Sequence, residues 1–278
     1  MSGVFVVIDG FEGTGKSTAV MRLKDRLEKE GYKVTTVRQP GGTPIAEDLR
    51  GVLKRKYEGE LFDPLSEAFV FYAARNQLMT QVVAPALKEG HIVIADRHDM
   101  STDAYQGREY AHLATMVSIK PDITIFMTRP FEKCIETMGA RGDDCRIESK
   151  DTEELRQIHE NYENLATDFH TYGNLLTCRF EEFDSPAQQT CEARYINEII
   201  HLAENANSKV TPAEFEKQVW AITGIKIIVK LDANSKIPSY TRTYPAELTT
   251  REGAMKHFTE LLGSGNFVLA YMPLLSIS

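Results

Sequence analysis

The chain has 278 residues, of which 42% are hydrophobic, 26% charged and 9% aromatic, and its formal net charge at pH 7 is −8. This composition is typical of folded globular proteins and excludes a disordered or fibrous chain. The acidic balance argues against nucleic acid or an anionic membrane as the main partner, because both bind to basic surfaces. The length allows one or two domains, each with its own core.

The cysteines and the apolar segments indicate the cellular compartment. Cys134, Cys145, Cys178 and Cys191 have neither the CxxC spacing of metal and redox sites nor the density of a disulfide-stapled domain, so reduced thiols are expected. No apolar run approaches the roughly 18 residues of a membrane-spanning helix, and the N-terminus has no basic leader. We therefore expect a cytoplasmic protein that binds neither membranes nor nucleic acid.

From residue 1 to about residue 204, short β-branched runs alternate with helical patterns. The predicted strands are residues 4–9, 33–38, 91–96, 122–127 and 175–183. The predicted helices include residues 17–30, 65–89, 152–172 and 186–204. Strands that alternate with helices predict an α/β fold, in which a five-stranded parallel sheet is covered by helices on both faces.

The pattern changes after residue 204. Residues 205–208 are typical of a polar linker, and Thr211 followed by Pro212 begins a new amphipathic helical pattern. An apolar strand pattern, a further helix pattern at 250–262 and a last strand pattern follow. We therefore predict two domains, residues 1–204 and residues 205–278. The second is a small α+β extension that either packs against the first or serves docking, oligomerisation or regulation.

Residues 10–17 match the phosphate-binding pattern G-x-x-x-x-G-K-[ST] and lie between the first predicted strand and the first predicted helix. In such a loop, backbone N–H groups face the β-phosphate, the lysine reaches the β- and γ-phosphates, and the serine ligates Mg²⁺. The predicted ATP-binding residues are Gly10, Gly13, Thr14, Gly15, Lys16, Ser17 and Thr18. Because no Asn is followed by Lys, the guanine-reading N-K-x-D segment of GTPases is absent. A small kinase with a small-molecule acceptor is favoured.

Three further segments carry arginines beside apolar strands, namely VRQPGGT at 37–43, FYAARNQ at 71–77 and DRHDMSTDAYQG at 96–107. Together with the phosphate-binding loop, they resemble the four signature segments of thymidylate kinases, in the same order and with similar spacing. The resemblance covers about residues 3–204 and does not reach the tail. It implies a P-loop kinase fold and an enzyme, expected as a homodimer, that uses ATP and Mg²⁺ to phosphorylate dTMP to dTDP.

The resemblance also implies roles for residues that would bind the acceptor nucleotide. Arg38, Arg75 and Arg97 would hold the dTMP phosphate, since a guanidinium matches phosphate oxygens bidentately. Phe71 would stack on the thymine, because an aromatic ring offers a face to a base. Tyr105 would crowd a 2′-hydroxyl and so select deoxynucleotides. For a single arginine near a strand end, a surface ion pair is the alternative.

Further residues complete the site that the resemblance implies. Asp96, at the end of a predicted strand, would organise Mg²⁺ and the acceptor phosphate, with helix capping as the alternative. Glu12 would lie near the acceptor sugar, and Thr102 and Gln77 would bind the edge of the base. The predicted catalytic residues are Lys16, Asp96, Arg97, Arg141 and Arg146, and the predicted metal ligands are Ser17 and Asp96. Arg141 and Arg146 belong to a polar stretch, 139–150, that is typical of a mobile lid.

Three features depart from the family pattern. Gln39 stands where Glu commonly follows the arginine, Cys145 stands where Asp precedes the second lid arginine, and the loop after Gly107 is shortened. A thymine analogue with another C5 substituent, or a broader range of deoxynucleoside monophosphates, is therefore an alternative substrate. A non-catalytic nucleotide-binding regulator is the alternative from another functional class.

Overall fold

The computed structural model describes residues 3–140, 150–167 and 171–207. The predicted C-terminal extension lies outside the described residues. Arg141, Arg146 and Cys145, which were predicted to belong to the lid, also lie outside them.

In the described part of the chain, five strands form one sheet, in which all pairings between neighbours are parallel. The strands are β1 (Val4–Asp9), β2 (Val34–Arg38), β3 (Ile92–Asp96), β4 (Ile123–Thr128) and β5 (Asn174–Arg179), in the order β2-β3-β1-β4-β5. The predicted parallel α/β fold is confirmed. The last strand was predicted too long, because β4 ends at Thr128, whose register partner is Arg179, and residues 180–183 have no strand beside them.

Nine α-helices are described within these ranges. They are α1 (Lys16–Lys29), α2 (Pro44–Lys54), α3 (Pro64–Leu78), α4 (Ala84–Lys88), α5 (Asp99–Gln106), α6 (Ala111–Val117), α7 (Phe131–Gly139), α8 (Thr152–Leu165) and α9 (Pro186–Asn207). The helix predicted at 65–89 is two helices, joined by one π-helical turn at Met79–Val83. Pro85 follows that turn, and its missing N–H cannot continue regular α-helical bonding. No described helix is long and apolar enough to span a membrane.

Local sequence signals set the ends of several helices. Asp151 accepts a hydrogen bond from the backbone N–H of Glu154, and its own backbone N–H donates to the Glu154 carboxylate, so a capping box begins α8. The same helix ends at Leu165 rather than at the predicted residue 172. Tyr172 instead lies in the turn before β5, where its hydroxyl donates to Asp103. An aromatic residue stands at position 172 because its ring is buried at this turn, and not because it continues the apolar periodicity of α8.

The core lies on both faces of the sheet. Every residue of β1 and β4 is buried, as expected for central strands of a parallel sheet that is covered on both sides. Leu23 of α1 and Ile199 of α9 belong to the cluster on one face. Leu78 of α3 and Tyr162 of α8 belong to clusters on the other face. This arrangement brings the carboxyl ends of β1, β2 and β3 to one edge, where open α/β sheets bind ligands.

Candidate active site

The loop between β1 and α1 has the backbone of an anion-binding turn. Gly10, Gly13 and Gly15 have φ values of +143°, +76° and +85°, which residues with a side chain rarely adopt. A Cβ atom on Gly13 would also collide with the backbone of Cys134. Gly15 precedes the first turn of α1 and brings no side chain to cap it. The first N–H groups of α1 can therefore bind an anion.

Lys16 lies inside this loop. Its Nζ donates to the Phe11 carbonyl at 2.6 Å and contacts Thr14 Oγ1 at 3.4 Å. Burial, followed by the charge of Arg97, lowers the pKa of Lys16 from its usual 10.5 to about 8. A buried ammonium that is held by carbonyl oxygen rather than by a carboxylate can change its partner to phosphate.

Ser17 and Asp96 join the start of α1 to the end of β3. Ser17 Oγ donates to Asp96 Oδ2 at 2.8 Å. Both are oxygen ligands of the kind that Mg²⁺ prefers, and both line the same cavity. Within the described residues, no group of three or more His, Cys, Asp or Glu side chains could hold a metal alone. A cation here would therefore need phosphate oxygens and water as its other ligands.

Arg97 connects the loop to α5. Its Nη2 lies 2.5 Å from Glu12 Oε1, and the other Glu12 oxygen accepts a hydrogen bond from Tyr105. Burial would raise the pKa of Glu12, but the charges of Arg97 and Lys16 outweigh it and lower that pKa. Arg97 has φ +74°, a left-handed backbone that costs an arginine on the order of 1–3 kcal/mol. Such strain is typical of functional sites.

Arg75 is held by protein acceptors. Its Nε donates to Gln39 Oε1 at 2.7 Å, and its Nη1 lies 2.5 Å from Asp99 Oδ1. Its Nη2 donates to Thr102 Oγ1 at 2.6 Å and to the His98 carbonyl at 3.1 Å. The side chain is 3% exposed. A phosphate group that bound Arg75 would have to compete with these acceptors.

These side chains surround one cavity of about 280 Å³ at the carboxyl edge of the sheet. Twelve of the predicted site residues line it, namely Glu12, Gly13, Gly15, Lys16, Ser17, Arg38, Phe71, Arg75, Asp96, Arg97, Thr102 and Tyr105. Arg38 is at the exposed end, where its Nη2 lies 2.8 Å from Glu47 Oε2. The cavity therefore joins the predicted phosphate-binding loop to residues that are predicted to bind the acceptor.

Four of the predicted site residues that the structure describes do not line this cavity. Gly10 and Thr14 are buried within the loop, and Thr18 is exposed on α1. Gln77 lies on α3 beyond Phe71 and Arg75, which are four residues apart and share one helix face. Because Gln77 is two residues past Arg75, its side chain leaves α3 on another face.

The sequence interpretation missed a buried group beneath the cavity. Asp9, at the end of β1, accepts hydrogen bonds from the backbone N–H groups of Gly10 and His98 and from the Ser101 hydroxyl. Tyr162 donates to the same carboxylate at 3.2 Å and accepts from Arg97 Nη1 at 3.0 Å. A strand-end carboxylate was a usable signal for Asp9. Tyr162 had no local signal, because its role depends on where α8 packs.

Arg129 was also missed, and it supports the loop from the end of β4. Its Nη1 donates to the Gly13 carbonyl at 3.0 Å, and two of its other donors bind the Glu181 carbonyl. The guanidinium lies 3.9 Å from the centre of the Phe183 ring. Arg129 thus joins the phosphate-binding loop to the segment that follows β5.

Comparisons with known proteins agree on the thymidylate kinase family. The thymidylate kinase family model matches residues 8–178. The chain is 40% identical to a thymidylate kinase of Idiomarina loihiensis over 175 residues, which is 60% of this chain and 85% of that protein. It is also 40% identical to a thymidylate kinase of Pseudoalteromonas translucida over 178 residues, with the same coverage. The crystal structure of thymidylate kinase from Ehrlichia chaffeensis matches with a TM-score of 0.55 and 26% identity, covering 72% of this chain and 100% of that one.

Proposed function

The chain belongs to the thymidylate kinase family, and from that premise we propose that it transfers the γ-phosphoryl group of ATP to dTMP, giving dTDP and ADP. One observation carries this proposal: a single cavity is lined both by the phosphate-binding loop and by Phe71, Arg97 and Tyr105. A donor triphosphate and an acceptor nucleotide that share one cavity can be aligned for direct transfer.

The chemistry requires alignment and charge neutralisation more than a strong base. A phosphate monoester has its second pKa near ~6, so the acceptor is mostly a dianion at pH 7 and is already nucleophilic. The main obstacle is repulsion between two polyanions. We assign Lys16 to the β- and γ-phosphates of ATP, and Arg97 with Arg38 to the acceptor phosphate. Arg75 stays a third proposed contact of that phosphate: like Arg97, it also binds protein acceptors, and it lines the cavity beside Phe71.

Mg²⁺ fits the oxygen ligands at the base of the cavity. Ser17 and Asp96 would hold the ion together with phosphate oxygens and water, because the two residues alone cannot fill its coordination shell. The bound ion would neutralise charge that develops on the transferring phosphoryl group. Ser17 and Asp96 are hydrogen-bonded to each other, so their oxygens are already close together.

The base and sugar contacts follow from the other lining residues. We propose that Phe71 stacks on the thymine, that Thr102 contacts the edge of the base, and that Tyr105 with Glu12 faces the sugar. Gln77 does not line the cavity, and its contact with the base stays a prediction from the sequence. The catalytic roles of Arg141 and Arg146 remain predictions from the sequence.

The test is steady-state ADP formation with a panel of nucleoside monophosphates. We expect dTMP to give the highest kcat/KM, followed by dUMP, with dCMP, dGMP and ribonucleotides far lower. A broad response across deoxynucleotides would support the wider-range alternative, and no turnover of any monophosphate would support a regulator. A C5-substituted substrate such as 5-hydroxymethyl-dUMP belongs in the same panel.

The two-domain organisation can be tested by truncation. We propose that residues 1–204 contain the whole kinase, because every described residue assigned to the site, up to Tyr162 of α8, lies within that range. A chain that ends at residue 207 is then expected to fold and to phosphorylate dTMP at a rate similar to the full-length chain. An insoluble or inactive truncation would show that the extension belongs to the catalytic domain. Cell fractionation would test the predicted cytoplasmic location.

We also propose that the enzyme is a homodimer, as the family resemblance implies. Helix α3 packs against α2 and α6. These three helices expose large apolar side chains, namely Ile45, Val52, Leu65, Phe69 and Met116. Light scattering is expected to give a dimer for the wild type and a monomer for Phe69→Glu. The control Met21→Glu changes an exposed apolar residue on α1 and is expected to remain dimeric.

A further inference from the structure

Gln39 bridges two buried side chains at the edge of the cavity. It directly follows β2, its backbone N–H donates to the Asp96 carbonyl at 2.9 Å, and its side chain is 5% exposed. Its amide contacts Arg75 Nε at 2.7 Å through Oε1 and His98 Nδ1 at 3.1 Å through Nε2. In the sequence, Gln39 stands where Glu is common.

The donors and acceptors in this chain of contacts can be assigned one after another. A guanidinium has donors only, so the atom that faces Arg75 must be the amide oxygen of Gln39. The amide nitrogen therefore faces His98, and Nδ1 of His98 must accept. His98 Nε2 lies 3.0 Å from the Ile119 carbonyl, which only accepts, so Nε2 carries the ring hydrogen. An amide at position 39 satisfies both neighbours at once.

The hydrogen bond that Arg75 donates to Gln39 differs from the other contacts of Arg75, because its acceptor lies in a different segment of the chain. Asp99, Thr102 and the His98 carbonyl all belong to the segment that follows β3. Gln39 alone among these acceptors belongs to the segment that follows β2. It therefore fixes the guanidinium from a second direction, and its loss would leave a buried N–H of Arg75 without an acceptor.

We propose that Gln39 is a positioning residue for the acceptor nucleotide, and that its amide sets the orientation of the Arg75 guanidinium in the wall that Phe71 also lines. The kinetic part of this inference rests on the proposed function, since it concerns the binding of dTMP. The structural part, the bond from Arg75 to Gln39, can be observed without any substrate.

Two variants and a control separate the possible roles of Gln39. Gln39→Leu removes both hydrogen bonds, whereas Gln39→Glu keeps an acceptor for Arg75 and loses the donor to His98. Gln157→Leu changes an exposed glutamine on α8 and serves as the control. The readouts are KM for dTMP, KM for ATP, kcat, and the ¹⁵N-detected signal of the Arg75 Nε–H group, which is assigned by its disappearance in Arg75→Lys.

We expect Gln39→Leu to raise KM for dTMP about tenfold, as for loss of a hydrogen bond to a charged group, while KM for ATP changes less than about twofold. The Arg75 Nε–H signal is expected to be protected from exchange in the wild type, lost in Gln39→Leu and kept in Gln39→Glu. The KM for dTMP of Gln39→Glu is expected to stay within about threefold of the wild type.

Several results would overturn the proposal. An unchanged Arg75 signal in Gln39→Leu would show that Gln39 does not hold the guanidinium. Equal increases in both KM values would indicate a general loss of structure, and a Gln39→Glu variant as impaired as Gln39→Leu would assign the effect to the His98 contact. If Gln39→Leu does not fold, the smaller variant Gln39→Ala, which also removes both hydrogen bonds, takes its place in each of these comparisons. Failure of the wild type to use dTMP would contradict the proposed function, but would leave the Arg75 signal as a valid test.

Discussion

The hydroxyl group of Tyr162 lies 3.0 Å from Nη1 of Arg97, and the same hydroxyl donates to Asp9. Tyr162 is fully buried on α8, where its ring stacks on Phe126. One hydroxyl therefore links α8, which follows the predicted lid, to the end of β1 and to the arginine assigned to the acceptor phosphate.

Tyr162→Phe is expected to lower kcat/KM for dTMP about tenfold, because it removes a hydrogen-bond partner from one cation and one carboxylate. The ring remains, so the thermal midpoint should fall by only a few degrees. Tyr57→Phe is the control, since the Tyr57 hydroxyl donates to the backbone carbonyl of Val52 at the surface. Unchanged kinetics in Tyr162→Phe would show that Arg97 is positioned without this bond.

ATP affinity is expected to decrease as the pH rises through about 8. The pKa of Lys16 is lowered to about 8, mainly by burial, so the ammonium that would face the phosphates loses its proton in this range. Calorimetric titration between pH 7 and pH 9.5 measures the change. Lys16→Met should bind ATP weakly at all of these pH values, and a wild-type affinity that stays constant to pH 9.5 would contradict the assignment.

Selection against ribonucleotides is expected to depend on the ring of Tyr105 and not on its hydroxyl. Tyr105→Ala opens space beside the sugar and should reduce the preference for dTMP over ribothymidine monophosphate about tenfold. Tyr105→Phe keeps the ring and should keep the preference, although it removes the hydrogen bond to Glu12. The ratio of kcat/KM values for the two substrates is the measurement. An unchanged ratio in Tyr105→Ala would place sugar selection elsewhere.

Asp103→Asn is expected to stabilise the fold increasingly as the pH rises from 5 to 8. Burial raises the pKa of Asp103 from its usual 3.8 to about 6. Because this pKa is higher in the folded than in the unfolded chain, the protonated carboxyl contributes its full stability below the unfolded pKa. That contribution is lost as the pH rises through about 6. At pH 8, the free energy of unfolding of Asp103→Asn should exceed that of the wild type by a value on the order of 2 kcal/mol.

Urea denaturation at pH 5, 6, 7 and 8 gives the free energies of unfolding for this comparison. Asp48→Asn, an exposed carboxylate on α2, is the control and should show no such trend. A difference between Asp103→Asn and wild type that is independent of pH would mean that the carboxyl group does not titrate in this range.

The sequence predicted what depends on local pattern. Alternating β-branched runs identified β1 to β4 to within about a residue, and the glycines with Lys16 and Ser17 identified the phosphate-binding loop. The prediction failed where the outcome depends on neighbours. The run at 175–183 could continue as a strand, but β4 is too short to pair with it.

The hydrogen-bond partners of the site were beyond sequence reasoning for the same reason. The bond from Gln39 to Arg75 joins residues 36 positions apart, and the bond from Tyr162 to Asp9 joins residues 153 positions apart. Neither spacing is a pattern. Gln77 differs from these residues, since a motif assigned it to the base but it does not line the cavity, so its role stays a prediction.

The long separations between partners in the site also bear on how the chain folds. Ser17 and Asp96, Glu12 and Arg97, and Asp9 and Tyr162 meet only after β1 and β3 are paired and α8 has docked. Parallel pairing between distant strands is slow, because the chain loses the entropy of loop closure before the stabilising contacts form. A partly folded chain therefore has no complete nucleotide site, and ATP or dTMP stabilises only the finished domain. Nucleotide binding during refolding would therefore report completion of the site rather than formation of the first strands and helices.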